Sequence, residues 1–172
     1  ANMRVGLLNM STKPADGSPS NEYQILRLKK ELPNRSHIGA IATNLIKLGS
    51  EKYSNEVVGL DAKWGIGEVS QIDGYTAISK TPSLDKKKSY AFRVQASSTG
   101  KMFSNALSYT EIGEDFNPEM GFLKRTGGYR KWSGRIFTRL RPENSYGILE
   151  LRPHVNYDGY WKNNLYYGEG KL

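Results

Sequence analysis

Along most of the chain apolar and polar residues alternate with a period of two. The plainest run sets Tyr90, Phe92, Val94 and Ala96 against Ser89, Arg93, Gln95 and Ser97. Val58, Leu60, Ala62, Trp64 and Ile66 likewise alternate with Gly59, Asp61, Lys63 and Gly65. Gly147, Leu149, Leu151, Pro153 and Val155 alternate with Glu150, Arg152, His154 and Asn156. A fourth run sets Trp132, Gly134, Ile136, Thr138 and Leu140 against Lys131, Ser133, Arg135, Arg139 and Arg141, with Phe137 interrupting the polar row. Successive side chains of a β-strand point to opposite faces, so each run predicts a strand with one apolar and one wet face. Weaker alternation covers 4–12, 21–32, 37–48, 69–80 and 102–112, and 165–172 reads as a last strand. The total is about ten strands. No stretch carries a sustained helical stripe. Residues 22–32 come nearest, but they also read as a strand and lie between turn signals at Ser18-Pro19-Ser20 and Pro33-Asn34.

The connections alternate in length. Long ones fall at 14–20, 49–54, 81–88, 113–129 and 157–163, and short ones at 33–36, 65–68, 98–101 and 142–145. In an up-and-down meander, odd connections emerge at one end and even ones at the other, so tight turns gather at one end and long loops at the other. Outer-membrane barrels have this asymmetry. The expected fold is a single all-β domain over 1–172, an antiparallel up-and-down transmembrane β-barrel or a large piece of one; the alternative is a soluble β-barrel or sandwich that binds a ligand or nucleic acid, with its apolar face turned inward.

Composition narrows the chemistry. With 37% hydrophobic residues, 11 Tyr and 3 Trp the chain has the material to fold. It contains no Cys, which removes disulfides, thiolate nucleophiles and Cys-ligated metals, and its two His cannot form a multi-His centre. No cofactor is called for. No apolar run approaches the roughly 20 residues of a spanning helix, whereas a spanning strand needs only about 9–11.

In a barrel, the alternation assigns faces. Asp61, Lys63, Arg93, Gln95, Lys131, Arg135, Arg139, Arg141, Glu150, Arg152 and His154 are expected to line the lumen. Leu60, Trp64, Tyr90, Phe92, Val94, Ile136, Leu149 and Leu151 are expected to face lipid. The 25 Lys and Arg outnumber the 17 Asp and Glu, giving a net charge of +8. Arginines in the lumen would favour anionic solutes. Asp61, Asp73, Glu111 and Glu150 are expected to neutralise them in a plugged, salt-bridged interior. Nucleic acid is a rival explanation of the surplus, but its single strands need aromatic and basic side chains on one face, and Tyr90, Phe92 and Arg93 lie on opposite ones. The expected partner is outer-membrane lipid, with other envelope proteins or additional barrel strands, and not nucleic acid.

The acidic block Glu114, Asp115, Phe116, Asn117, Pro118, Glu119 is the densest cluster of oxygen ligands. Asp115, Asn117 and Glu119 have the alternate spacing of a calcium loop, but the sixth and twelfth positions hold Met120 and Thr126 in place of Gly and Glu. The block is therefore expected to be an ordered outer loop, its acids paired locally with Lys124, Arg125 and Arg130 and its Phe116, Met120 and Phe122 packed. Paired acids such as Glu114 and Asp115, or Glu150 and Asp158, raise a glycosidase reading, but nothing sets two carboxyls across a cleft. No Gly-x-Ser-x-Gly elbow is present, and neither His37 nor His154 has the context of a general base. Aromatics at strand ends, among them Tyr53, Trp64, Tyr129, Trp132, Tyr146, Tyr157, Tyr160, Trp161, Tyr166 and Tyr167, suggest interfacial girdles. Tyr157, Tyr160 and Trp161 alternatively suggest a carbohydrate-stacking platform.

The segment Leu107-Ser108-Tyr109-Thr110-Glu111-Ile112-Gly113-Glu114-Asp115-Phe116-Asn117-Pro118-Glu119-Met120-Gly121-Phe122, with Arg125 and Tyr129-Arg130 behind it, resembles a bacterial envelope family. This is the barrel region of domain of unknown function 5916, usually found behind a carbohydrate-binding module of family 9 type. Ile38-Gly39-Ala40-Ile41-Ala42-Thr43-Asn44 and Val58-Gly59-Leu60-Asp61-Ala62 fit the same pattern. Members are much longer, so the resemblance implies that this chain is an internal part of such a barrel. It also implies location in the bacterial outer membrane, a scaffold, pore or translocation role, and a connection with carbohydrate. Some members are labelled membrane-associated hydrolases, but the resemblance carries no catalytic residue to this chain.

Overall fold

The computed structural model describes residues 2–14, 19–49, 52–82, 84, 87–123, 125–142, 147, 149–162 and 165–171. Ten strands follow one another: β1 Met3–Ser11, β2 Ser20–Leu32, β3 Ser36–Leu48, β4 Lys52–Ile66, β5 Ser70–Lys80, β6 Tyr90–Thr99, β7 Phe103–Ile112, β8 Tyr129–Thr138, β9 His154–Lys162 and β10 Leu165–Lys171. Each pairs antiparallel with the next, so one sheet runs in sequence order from β1 to β10. No helix occurs among the described residues. The sheet is open: β1 and β10 are edges and do not pair with each other, which corrects the expectation of a closed ring.

The tight turns have identifiable causes. Asn34 and Arg35 both take positive φ within the three-residue connection left by the Leu32–Ser36 pair, a conformation whose twist suits the strands it joins. Ser36 N donates to Pro33 O at 3.2 Å, and Arg35 Nη2 reaches Gly67 O at 2.8 Å, tying the β2–β3 turn to the β4–β5 turn. Gly65 lies beneath this junction, where a Cβ would stand 1.9 Å from Asn34 O.

One strand assignment moves. Residues 147–156 were expected to be a strand and 157–163 a loop, but β9 occupies His154–Lys162. Pro153 has no N–H to give the ladder. It only accepts, from Thr138 N at 3.0 Å, so the regular strand starts one residue later. The connection expected to be short at 142–145 instead runs from 139 to 153, its described arms joined as a hairpin by the Leu140–Leu151 bridge. Glu150, Arg152, Leu149 and Leu151, all expected on a strand, belong to this hairpin.

The register separates the two faces of the sheet. One face carries Val5, Leu7, Leu26, Leu28, Ile38, Leu60, Trp64, Ile78, Phe92, Val94, Leu107, Trp132 and Ile136, through cross-strand partners such as Thr76–Phe92 and Val94–Tyr109–Trp132. These side chains are exposed: Leu60 by 57%, Ile78 by 61% and Ile136 by 60%. At the long-loop end this face turns polar along the cross-strand row Asn9, Gln24, Asn44, Glu56, Lys80. The other face carries Arg27, His37, Asp61, Lys63, Asp73, Arg93, Gln95, Lys131, Arg135 and Asp158, and is the more enclosed.

Candidate functional site: the polar face and its docked loop

Among the described residues four apolar ones are buried, Leu45, Val57, Ala91 and Ile112, and all four lie on the polar face at the long-loop end. The buried polar residues Asn55, Ser79 and Thr81 lie there too. What covers them is the described part of the β7–β8 connection, residues 113–123 and 125–128, which folds back over this face. Asn55 is fully buried; its Nδ2 donates to Thr81 Oγ1 and to Asn117 O, each at 2.8 Å, and its Oδ1 accepts from Glu119 N at 3.2 Å. Asn117 N donates to Ser79 Oγ at 2.9 Å. Glu119 accepts from the Tyr53 hydroxyl and the Asn117 side-chain amide, and lies 3.0 Å from Lys47 Nζ. Burial pushes the Glu119 carboxyl upward, but these donors outweigh it and hold the group below the usual carboxylate range.

Glycine marks both ends of the loop. Gly113 N donates to Tyr90 O at 2.8 Å, and a Cβ there would meet Lys88 O at 1.9 Å. Gly127 and Gly128 take φ of 78° and 72°, which only glycine adopts freely, and bring the chain back to β8.

This docking replaces the local ion pairing expected of the loop. Glu114 pairs with Lys88 at 3.0 Å and Glu119 with Lys47, both outside the loop. Arg125 lies over the Tyr160 ring at 4.2 Å, Arg130 pairs with Glu111 at 3.4 Å, and Lys124 lies outside the described residues. Phe122, expected to pack, is 85% exposed, while Phe116, Pro118 and Met120 are half-buried. Of the calcium candidates Asp115, Asn117 and Glu119, the last two are engaged by the wall. Among the described residues no group of three acids or histidines could hold a metal.

The remaining polar face is laced by ion pairs. Arg27 on β2 grips both Asp61 oxygens on β4 across the intervening strand, with Nη2 at 2.9 Å from Oδ2. Gly39 on β3 makes room, since a Cβ would come within 2.6 Å of the Arg27 guanidinium and 2.9 Å of Asp61. His37 Nε2 lies 3.5 Å from the same carboxylate. Lys131 pairs with Asp158 at 2.9 Å, and Arg93 donates to Gln95 at 2.5 Å. Glu111, expected to neutralise this interior, instead sits on the apolar face, accepting from Tyr90 and Tyr109 beside Arg130. Arg27, Lys47 and Asn55 carry no individual sign of these roles in the sequence, and Tyr53, expected as an interfacial aromatic, instead donates to Glu119. Gly39, a glycine within a strand, was the available sign that something crosses there.

The aromatics divide between faces. Trp64, Trp132, Tyr157, Trp161 and Tyr166 lie on the apolar face, with Trp132 4.9 Å from Tyr109 and Trp161 5.0 Å from Tyr166. Tyr53, Tyr129 and Tyr160 lie on the polar one. Tyr146 and the Tyr167 side chain lie outside the described part. Because Tyr160 faces away from Tyr157 and Trp161, the three do not form one stacking platform. Comparison with known protein families, curated proteins and solved structures gives no match.

Proposed function

We propose that this chain is a section of the wall of a bacterial outer-membrane β-barrel, a scaffold, pore or translocation component whose lumen is narrowed by the docked loop. The observation that supports it best is the division of one continuous meander into an exposed apolar face and a more enclosed, ion-paired face. On β4, Val58 to Ile66 spans about 26 Å along the strand at about 3.3 Å per residue, a length suited to the roughly 25 Å apolar band of such barrels once the strand is tilted. The cross-strand row Asn9, Gln24, Asn44, Glu56, Lys80 then marks one membrane boundary, and the Tyr109–Trp132 and Trp161–Tyr166 pairs lie toward the same end.

In lipid an unpaired strand edge is costly, because its backbone donors and acceptors have no water. The β1 and β10 edges therefore call for partners, either each other or further strands from a longer chain or another envelope protein. The link to carbohydrate rests on the family resemblance alone. A hydrolase has no support beyond that resemblance, since Asp61, Glu111, Glu119, Glu150 and Asp158 are all engaged by cations or hydroxyls.

The absence of Cys allows a direct test. Single cysteines at positions 91 to 97, each carrying an environment-sensitive fluorophore, should alternate in vesicles: bright at 92, 94 and 96, dim at 93, 95 and 97. A pattern without this alternation, or one unchanged when lipid is omitted, would remove the membrane assignment.

A further inference from the structure

The described arms of the β8–β9 hairpin carry a charge arrangement that the sheet does not need. Its ladder continues beyond Phe137–His154 through Leu140–Leu151, which sets Arg139 opposite Arg152 and Arg141 opposite Glu150. All four share the face of Lys131 and Arg135. Like charges directly opposite on a ladder destabilise it, so a hairpin built only for stability would not pair two arginines.

Glu150 collects all three. Oε1 lies 3.2 Å from Arg139 Nε and also receives Arg152, and Oε2 receives Arg141 Nε at 3.0 Å. The carboxylate is 15% exposed, while Arg141 and Arg152 stay 71% and 63% exposed, so their unused guanidinium donors point to solvent. The Arg139 Nε atom is buried and has no hydrogen-bond partner, its approach to Glu150 being at the wrong angle. Among the described residues of the hairpin, three cations and one anion leave a surplus of two positive charges, with Arg135 and His154 adjoining on the same face.

We propose that this arginine fan at the tight-turn end is a binding site for a compact phosphate-bearing anion, with Glu150 holding the guanidiniums together when the site is empty. Arginine suits this role because its planar fork binds phosphate oxygens in pairs, which lysine cannot do. The positive surplus suits phosphate anions, from a phosphodiester headgroup to a diphosphate. The site stands whether or not the sheet spans a membrane. Its phosphate could be carried by a free solute or by a lipid headgroup.

Calorimetric titration of the full chain at low salt with inorganic pyrophosphate, and in parallel with phosphatidylglycerol and phosphatidylcholine vesicles, separates these sources. Arg141→Gln and Arg152→Gln should each weaken binding roughly tenfold, and Arg152→Lys, which keeps the charge but loses the fork, should fall between. Glu150→Gln removes the internal competitor and should tighten binding. Pyrophosphate binding with this order identifies a soluble ligand, and the same order seen only with phosphatidylglycerol identifies a headgroup; either supports the site. Should the arginine variants fail to fold, Glu150→Gln decides by itself. Binding that is absent, insensitive to the arginines, or not tightened by Glu150→Gln would reduce the fan to a hairpin clasp.

Discussion

Asn55 on β4 and Asn117 in the β7–β8 loop are joined by a 2.8 Å hydrogen bond from a fully buried side chain to a backbone carbonyl 62 positions away. One amide thus ties the loop to the wall, binding Thr81 and Glu119 as well. Asn55→Ala removes three hydrogen bonds, two of them to the loop; at about 0.5–1.5 kcal/mol net for each of those two, docking should weaken by about 1–3 kcal/mol. Limited proteolysis should then cut within 113–128 at protease levels that leave the parent intact. Asp115→Asn, which touches none of these bonds, should leave the cleavage rate near that of the parent.

Docking should also depend on pH, through Glu119. Its carboxyl is held below the ordinary value of 4.5 in the folded chain by Tyr53, Lys47 and Asn117 acting against burial. A group with a depressed native pKa contributes stability that is complete above its unfolded value and is lost as pH falls through the native one. Hydrogen exchange of the loop amides, corrected for the intrinsic acid dependence, should therefore stay slow near neutrality and quicken in acid. Glu119→Gln should flatten that dependence while exchange elsewhere in the sheet is unchanged.

Two strand glycines separate a flexible obstacle from a rigid one. At Gly39 an added Cβ meets the ends of the Arg27 and Asp61 side chains, which can move apart. At Gly65 it meets the Asn34 carbonyl, so the whole turn must shift. Gly39→Ala should loosen the Arg27–Asp61 pair at a cost of about 1 kcal/mol, and Gly65→Ala should cost about 2–4 kcal/mol, within the range of severe single substitutions. The urea midpoints of the two variants give the order directly.

Nine of the ten strands are legible from the sequence alone, as at Phe92, Arg93, Val94 and Gln95, because a two-residue period survives wherever one face is wet and the other apolar. The period blurs at 154–162, where Tyr157 and Trp161 oppose Tyr160 and both faces look apolar. Pro153 then draws the strand boundary later than the alternation from Gly147 suggests. Loop docking had no local signature, since Asn55, Ser79 and Asn117 are ordinary polar residues until the register brings them together. Gly127-Gly128, two successive residues needing positive φ, was the one sequence sign of a sharp return. Net charge located the arginines but not their convergence on Glu150, which depends on the register of the β8–β9 ladder.

A charge placed on the apolar face should be far more damaging than one placed beside it. Val94→Arg should cost roughly 2–4 kcal/mol if the residue lies near the bilayer midplane, whereas Gln95→Arg on the polar face should cost little. Unfolding from lipid vesicles measures both, and equal costs would contradict the assignment of faces.

The central claim is that the exposed apolar face meets lipid, and the chain carries its own probes. Its three tryptophans, Trp64, Trp132 and Trp161, all lie on that face. Tryptophan fluorescence of the chain folded into vesicles of brominated phosphatidylcholine, compared with unbrominated vesicles, tests this most directly. The account predicts strong quenching by brominated chains and little by aqueous iodide. Emission that bromolipid leaves intact and iodide quenches would show the face turned to water, and would contradict it.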